Sequence, residues 1–512
     1  MEVINNKALL LRLKEPHRVT AVIPKSKVVG QNQVVVHWGL DEAQVLKNLR
    51  IKDVPSPILR DYDWPGLHKP FDHQKTSASF LTLHKRAFCL SEQGTGKTGS
   101  VIWAADYLMR QGRVRRVLVV CPLSIMDSAW RADLFKFAMH RHVDIAHGNA
   151  EKRREVINGT AEFVIINYDG VEVVVNDIEK AGFDLIVVDE ANAYKNAQTK
   201  RWKILNAMLR PDTWLWMLTG TPAAQSPADA YGLAKLVNPN NVPRFFTTFK
   251  DMVMYKAGQF RWVPKPSATQ TVYKALQPAI RFTKAECLDL PEMTYVSRQV
   301  ALTAQQEKYY KLMKKQMIIE AGGEEITAVN AAVNLSKLLQ LSCGAVYADT
   351  GETIEFDIKN RYAVLKEVID ETDKKVLVFA PFKNAIELIT NKLRADGYET
   401  EVIQGDVPAG KRAEIFRNFQ DTPSPRVLVI QPQSASHGVT LTAADTVVWW
   451  GPTSSLETYE QANARVHRAG QRHPTTVVRL IGSNAERHVY QMLDTKKDVH
   501  TQVVDLYKRL LD

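Results

Sequence analysis

Cysteine is scarce in this sequence: Cys89, Cys121, Cys287 and Cys343 are the only four in 512 residues. They are scattered, form no Cys-x-x-Cys pair and have no histidine at metal-ligand spacing. That pattern excludes a zinc module and a disulfide framework, and leaves four reduced thiols as the expectation. Long apolar runs are missing too, since no stretch approaches the roughly 20 residues that a bilayer span needs. Near the start, Lys7, Arg12 and Lys14 interrupt the one apolar run, so neither a signal peptide nor a membrane partner is expected. No low-complexity segment or short repeat is present. What remains is a globular composition, 45% hydrophobic and 24% charged, with Lys+Arg 67 against Asp+Glu 56 and a net charge of +11. A basic balance suits a polyanionic partner, and the length is enough for two or three cores.

Texture divides the chain. Residues 1–60 show short runs of apolar and polar positions (Ala8 to Leu13, Val19 to Pro24, Val34 to Trp38), then a helical piece from Asp41 to Leu49 with Asp41 as its possible cap. This stretch reads as a small basic β-rich accessory domain, ended by the proline-rich stretch Val54 to Pro70. From Phe71 to about residue 240, unbroken β-branched runs alternate with amphipathic helical stretches: Val117 to Cys121, Phe163 to Asn167, Leu185 to Asp189 and Trp214 to Leu218. Such runs predict parallel strands buried on both faces by crossover helices. Residues 241–355 read as a mostly helical insert, with helices at Ala304 to Glu320 and Val329 to Leu341 around the Gly322-Gly323 break. The alternation resumes over 356–512, at Val376 to Ala380, Thr400 to Ile403, Val427 to Ile430, Thr446 to Trp450 and Thr476 to Ile481. The predicted class is α/β, with two tandem parallel-sheet lobes.

Ser91-Glu-Gln-Gly-Thr-Gly-Lys97-Thr98 follows the apolar run Ala87 to Leu90 and precedes a helical stretch. It fits the phosphate-binding loop except that Ser91 replaces the first glycine. Gly94 and Gly96 permit backbone angles that turn N–H groups inward, and with Thr95 they form a cradle at a helix N-terminus. Lys97 would neutralise the β- and γ-phosphates of ATP, and the Thr98 hydroxyl would hold Mg2+. Asp189-Glu190 ends a predicted strand about 90 residues later, where ligands bind in open α/β sheets. There Asp189 would complete the Mg2+ shell and Glu190 would position or deprotonate the attacking water. A strand-end Asp-Glu pair also serves as a plain loop cap; its order after the phosphate loop favours the catalytic reading. Thr219-Gly-Thr-Pro222 is a turn by itself and gains meaning only from its position next in line. Gln74, about 20 residues before the phosphate loop, can read an adenine edge through its amide. In the second lobe, Arg465 and Arg468 stand i, i+3 in Gln461-Ala-Asn-Ala-Arg-Val-His-Arg-Ala-Gly-Gln471, expected to lie on a helix with both guanidinium groups on one face. Their charge could stabilise phosphoryl transfer.

Taken in order, these motifs with Leu218 to Pro222 and Ser436-His-Gly-Val-Thr-Leu-Thr442 resemble a superfamily-2 helicase, specifically its Swi/Snf-like branch, in a compact bacterial or phage form. Arg465 to Gln471 is the most branch-specific piece. The spans Leu290 to Thr303 and Gln306 to Tyr310 are similar to that family's bridge between lobes. The resemblance covers about residues 70 to 490 and implies two RecA-like lobes, ATP with Mg2+ as cofactors, and Gly438 and Gln461 as further nucleotide-binding residues. It also implies DNA gripped mainly at its phosphates, near Pro122, Tyr168, Thr221, Gly405 and Thr440. Two departures stand out: Asn192 where the branch usually has His, and Val439-Thr440 for Leu-Asn. Neither removes a metal- or phosphate-contacting group. The arginines at 110, 113, 115 and 116 read as a solvated turn before a strand. The expectation is a DNA-dependent ATPase, a monomer in the cytoplasm of a bacterium or infected host, that remodels branched or duplex DNA beside replication or recombination proteins. A duplex translocase displacing bound proteins, and an ATP-gated DNA switch that does not move, are the competing readings.

Overall fold

A computed structural model describes all residues except 224–225, 258–261, 288, 322–327, 348–352, 436–438 and 496–512. The chain divides into two units, Met1–Cys287 and Leu288–Asp512.

The first unit opens with a four-stranded antiparallel sheet, in the order Glu2–Ile4, Ala8–Arg12, Gln33–His37, Ser26–Gly30. Leu9, Leu11, Val34 and Val36 alternate onto one face and are buried with Val19, Ile23, Trp38 and Leu46. Two local expectations change here. Val19 and Ile23 do not lie on a strand: they share one side of a helical turn begun at His17, being four residues apart. The cap of the next helix, Leu40–Asn48, is Gly39, while Asp41 sits in its first turn, where an acidic group meets the positive end of the helix.

Behind this module lies a seven-stranded parallel sheet. Its order is Ala279–Ile280, Arg86–Cys89, Trp214–Leu218, Leu185–Val188, Val117–Cys121, Phe163–Asn167, Val143–Ala146. The central strands are buried along their whole length because helices cover both faces, as their unbroken Val, Ile and Leu runs require. The second unit holds a six-stranded parallel sheet, in the order Met293–Gln299, Thr475–Ile481, Ala444–Trp449, Lys375–Phe379, Val427–Ile430, Thr400–Ile403. Helices Ala304–Ala321 and Ala328–Cys343 belong with it. The span 241–355, expected as one insert, is therefore shared out. Ala279–Ile280 pairs beside Phe88 and Cys89 as an edge of the first sheet, and Met293–Gln299 pairs beside Thr475–Ile481 as an edge of the second.

Candidate functional site

The first unit's site is built on the carboxyl ends of three neighbouring strands. Arg86–Cys89 runs out into the loop 91–96, and the helix Lys97–Arg110 begins immediately after it. Gly94 and Gly96 take φ of 84° and 78°, the left-handed region that a side chain disfavours. At Gly96 a Cβ would also stand 2.2 Å from Gln74 Nε2. The loop is braced from outside. Gln74 Nε2 donates to the Gly96 carbonyl at 3.2 Å, its Oε1 accepts from the Phe71 amide at 2.9 Å, and His73 Nε2 lies 2.8 Å from the Thr95 carbonyl. Within the loop, Lys97 Nζ donates to the carbonyls of Ser91 at 2.8 Å and Glu92 at 3.2 Å, while Thr95 Oγ1 donates to Glu92 at 2.7 Å. Thr98 is half-buried at the start of the helix.

Ser91, the residue standing where a glycine was expected, has a partner far along the chain. Its Oγ accepts from the Phe282 amide at 3.1 Å, the Glu92 amide donates to the Phe282 carbonyl at 2.9 Å, and the Lys284 amide donates to Glu92 Oε2 at 3.0 Å. The strand Ala279–Ile280 thus continues as a strap along the phosphate loop. Nothing in the spacing of residues 91 and 282 signals this contact.

The strand Leu185–Val188 ends at Asp189, whose Oδ1 accepts from the Glu190 amide at 2.9 Å and whose Oδ2 accepts from the Trp130 indole N–H, also at 2.9 Å. Glu190 has φ of 47°; a non-glycine residue held there marks a strained turn, of the kind that gathers at active sites. The Tyr168 hydroxyl donates to the carbonyls of Asp189 at 2.6 Å and Glu190 at 3.2 Å. Burial first, then the charges of Asp189 and Glu190, push the Tyr168 phenol well above its ordinary pKa, so it stays a donor. Asn192 Nδ2 donates to Thr221 O at 3.0 Å and to Thr221 Oγ1 at 3.2 Å. A Cβ on Gly220 would lie 3.1 Å from Gln93 Cγ. Phosphate loop, Thr219 to Pro222 turn and acidic turn therefore form one contiguous wall. Hydroxyl and carboxylate oxygens on that wall, Thr98 and Asp189, are the hard donors that Mg2+ prefers.

In the second unit the helix Leu456–Asn463 ends before the arginines, which corrects the expectation of one helical face. Turns closed by Arg465 N to Ala462 O, His467 N to Asn463 O and Gln471 N to Arg468 O carry residues 464–471. Gln471 explains the break: its Nε2 donates to Ala444 O at 2.8 Å and its Oε1 accepts from the amides of Arg472 and His473. Arg465 is buried, whereas Arg468 is half-buried with NH1 donating to Val439 O at 3.0 Å. Gln461 is buried, with Nε2 donating to Glu457. Gly438 lies outside the described residues.

Pro122, Tyr168, Thr221 and Gly405 follow the carboxyl ends of strands, whereas Thr440 lies four residues before Ala444–Trp449. Pro122 and Thr221 are half-buried, and Gly405 and Thr440 are exposed; Tyr168 turns its hydroxyl inward, as above. Within the arginine cluster, Arg110 pairs with Asp63 and Asp106, Arg113 pairs with Asp41 and Arg116 donates to Ala161 O and Ile157 O, while Arg115 is largely exposed beside Asp184.

The SNF2-related domain model matches residues 73–345, over half the chain, and the helicase conserved C-terminal domain model matches residues 360–470. The chain belongs to the SNF2-related family. Relatives of this SNF2-related chain include an uncharacterized ATP-dependent helicase of Mycoplasma genitalium, 27% identical over 80% of this chain and 39% of that protein. A putative protein of Acyrthosiphon pisum secondary endosymbiont phage 1 is 24% identical over 86% of this chain and 99% of its own length. The chain spans 45% and 52% of the chromodomain-helicase-DNA-binding protein 1-like relatives of Danio rerio and Mus musculus. The solved Sulfolobus solfataricus SWI2/SNF2 ATPase core in complex with dsDNA is 22% identical, with 86% of this chain and 94% of that one covered and a TM-score of 0.42. Among the described residues no helix is long and apolar enough to cross a membrane.

Proposed function

We propose that this chain is a DNA-dependent ATPase that translocates on duplex DNA and remodels branched junctions. The observation that carries the ATPase reading is that the loop bearing Lys97 and the turn bearing Asp189 and Glu190 are joined through Gly220 and Thr221, in a chain of the SNF2-related family. In this reading Lys97 and the loop amides hold the phosphates, and Thr98 and Asp189 hold Mg2+. Glu190 orients the water, while Arg465 and Arg468 add positive charge as the bond to the γ-phosphate breaks. Among the described residues no three His, Cys, Asp or Glu side chains gather as a metal site. The ion's remaining ligands are then phosphate and water, the ordinary habit of Mg2+. Arg468→Ala is expected to lower kcat by about a thousandfold with little loss of nucleotide affinity. Equal losses in both, measured by single-turnover hydrolysis and ADP binding, would sink the assignment.

The branched-DNA part rests on the N-terminal sheet. Its face opposite the buried Leu9, Leu11, Val34 and Val36 carries Arg12, Lys25, Lys27 and His37 around half-buried Leu10 and Val35; Lys27 pairs across Val35, and His37 N donates to Lys25 O. One carboxylate, Glu2, pairs across Leu10 on that face. A cationic sheet face of this kind suits phosphates. Deleting residues 1–60 would also break Arg113–Asp41 and the Gln44 Nε2 bond to Thr82 O at 3.1 Å, so substitution is the cleaner test. Arg12→Gln/Lys25→Gln/Lys27→Gln is expected to weaken fork binding, to reduce the slope of log K against log[salt] by about 3, and to equalise ATPase stimulation by forked and plain duplex DNA. Retained fork preference overturns the role of this face, and equal stimulation by forked and plain duplex DNA in the unmodified protein favours a plain duplex translocase. DNA binding with no triplex displacement by the unmodified protein favours the immobile switch.

A further inference from the structure

Trp130 is buried with 0% of its surface exposed. It sits in a wide helical turn of the π type, Met126–Arg131, entered directly from the turn Leu123–Ile125. Such turns insert an extra residue into a helical ladder and recur at functional sites. Here the turn drives the indole into the core shared by Trp103, Leu134, Val119 and Val187. Its direction is set by packing rather than by solvent. From that fixed position the indole N–H reaches Asp189 Oδ2 at 2.9 Å, while Oδ1 accepts from the Glu190 amide at 2.9 Å. Each oxygen of the carboxylate thus has a donor of its own on rigid chain, and the plane of the group is defined before any ligand arrives.

We propose that Trp130 is a positioning residue for the metal-binding carboxylate, holding Asp189 in the orientation in which it receives Mg2+ with the nucleotide. The proposal rests on the reading above that Asp189 takes part in holding Mg2+. The indole N–H cannot bind the metal, as a donor with no acceptor in its ring plane. Its action is on the ligand: outer partners orient a metal-binding group, and losing one costs about 10- to 100-fold in metal affinity. The competing explanation is that a core tryptophan has merely found the nearest acceptor for its N–H. That version predicts lost stability with an unaltered metal response.

The test uses the full chain and ADP as the probe, measuring ADP binding by calorimetry across a Mg2+ titration. Trp130→Phe removes the donor and keeps an aromatic ring. The Mg2+ concentration for half-maximal ADP affinity is expected to rise at least about tenfold, with ADP binding in excess EDTA unchanged. If the smaller ring leaves a cavity that unfolds the unit, β-(3-benzothienyl)alanine at position 130 keeps the indole's shape without the N–H, and the same shift is expected. In an Asp189→Asn background, removing the N–H should add no further shift. A folded Trp130→Phe or benzothienyl variant with an unchanged Mg2+ midpoint overturns the proposal, as does an equal shift in the Asp189→Asn background. An unchanged midpoint in Asp189→Asn alone instead overturns the assignment of Asp189 to the metal.

Discussion

Lys97→Ala is expected to abolish DNA-stimulated ATP hydrolysis, lowering kcat by about a thousandfold or more. The ammonium is fixed at the loop 91–96, tied to the carbonyls of Ser91 and Glu92 by bonds of 2.8 and 3.2 Å. Those bonds keep Nζ beside the inward-turned amides made possible by the left-handed Gly94 and Gly96. Removing the charge leaves the backbone of the loop and takes away the group proposed to balance charge gathering on the transferred phosphoryl. Circular dichroism and thermal melting should stay close to those of the unmodified chain, because the half-buried side chain contributes little apolar packing. Near-normal DNA-stimulated turnover in this variant would refute the ATP site.

The largest stability effect is expected in the second unit. Arg361, with 3% of its side chain exposed, pairs at 2.8 Å with Glu486, which is wholly buried. The guanidinium also donates to the Trp450 carbonyl, and Glu486 Oε2 accepts from the amides of Gly482 at 2.7 Å and Ser483 at 3.0 Å. Arg361→Met leaves a buried carboxylate without its counter-charge, which costs about 3–5 kcal/mol. Replacing both partners, as Arg361→Met/Glu486→Leu, should recover much of that loss, since the desolvation cost disappears with the second charge. Urea unfolding of the three proteins measures both effects. A single variant that loses less than about 1 kcal/mol, the usual worth of an exposed pair, would show that the buried pair does not stabilise this unit.

The central strands were legible because a parallel strand buried on both faces must be apolar nearly throughout, and Val117–Cys121, residues 163–166 and Val427–Ile430 are. The candidate phosphate loop and acidic turn stand out for a different reason: the chemistry proposed for them would need particular residues at strand ends. Edge strands escaped. Met293–Gln299 is exposed or half-buried residue by residue, and its partner Thr475–Ile481 lies some 180 residues later, so no local pattern announces the pairing. Two-residue Ala279–Ile280 carries even less signal. At Arg465 and Arg468 helical spacing misled, because the bonds of Gln471 to Ala444, Arg472 and His473 stabilise a turn that periodicity does not encode. A tryptophan in an apolar setting reads as core, which Trp130 is; only the direction of its N–H adds the second role proposed for it.

The strap along the phosphate loop bears on how this protein can be dissected and in what order it is made. The amides of Phe88, Leu90 and Glu92 donate to the carbonyls of Pro278, Ile280 and Phe282. A fragment cut at residue 240, where the first run of strands and helices stops, would leave that side of the nucleotide loop without its acceptors. On the ribosome, Ser91 must likewise wait for roughly another 190 residues before Phe282 exists to meet it. A fragment that keeps every one of these bonds along the loop 91–96 therefore runs at least to Lys284.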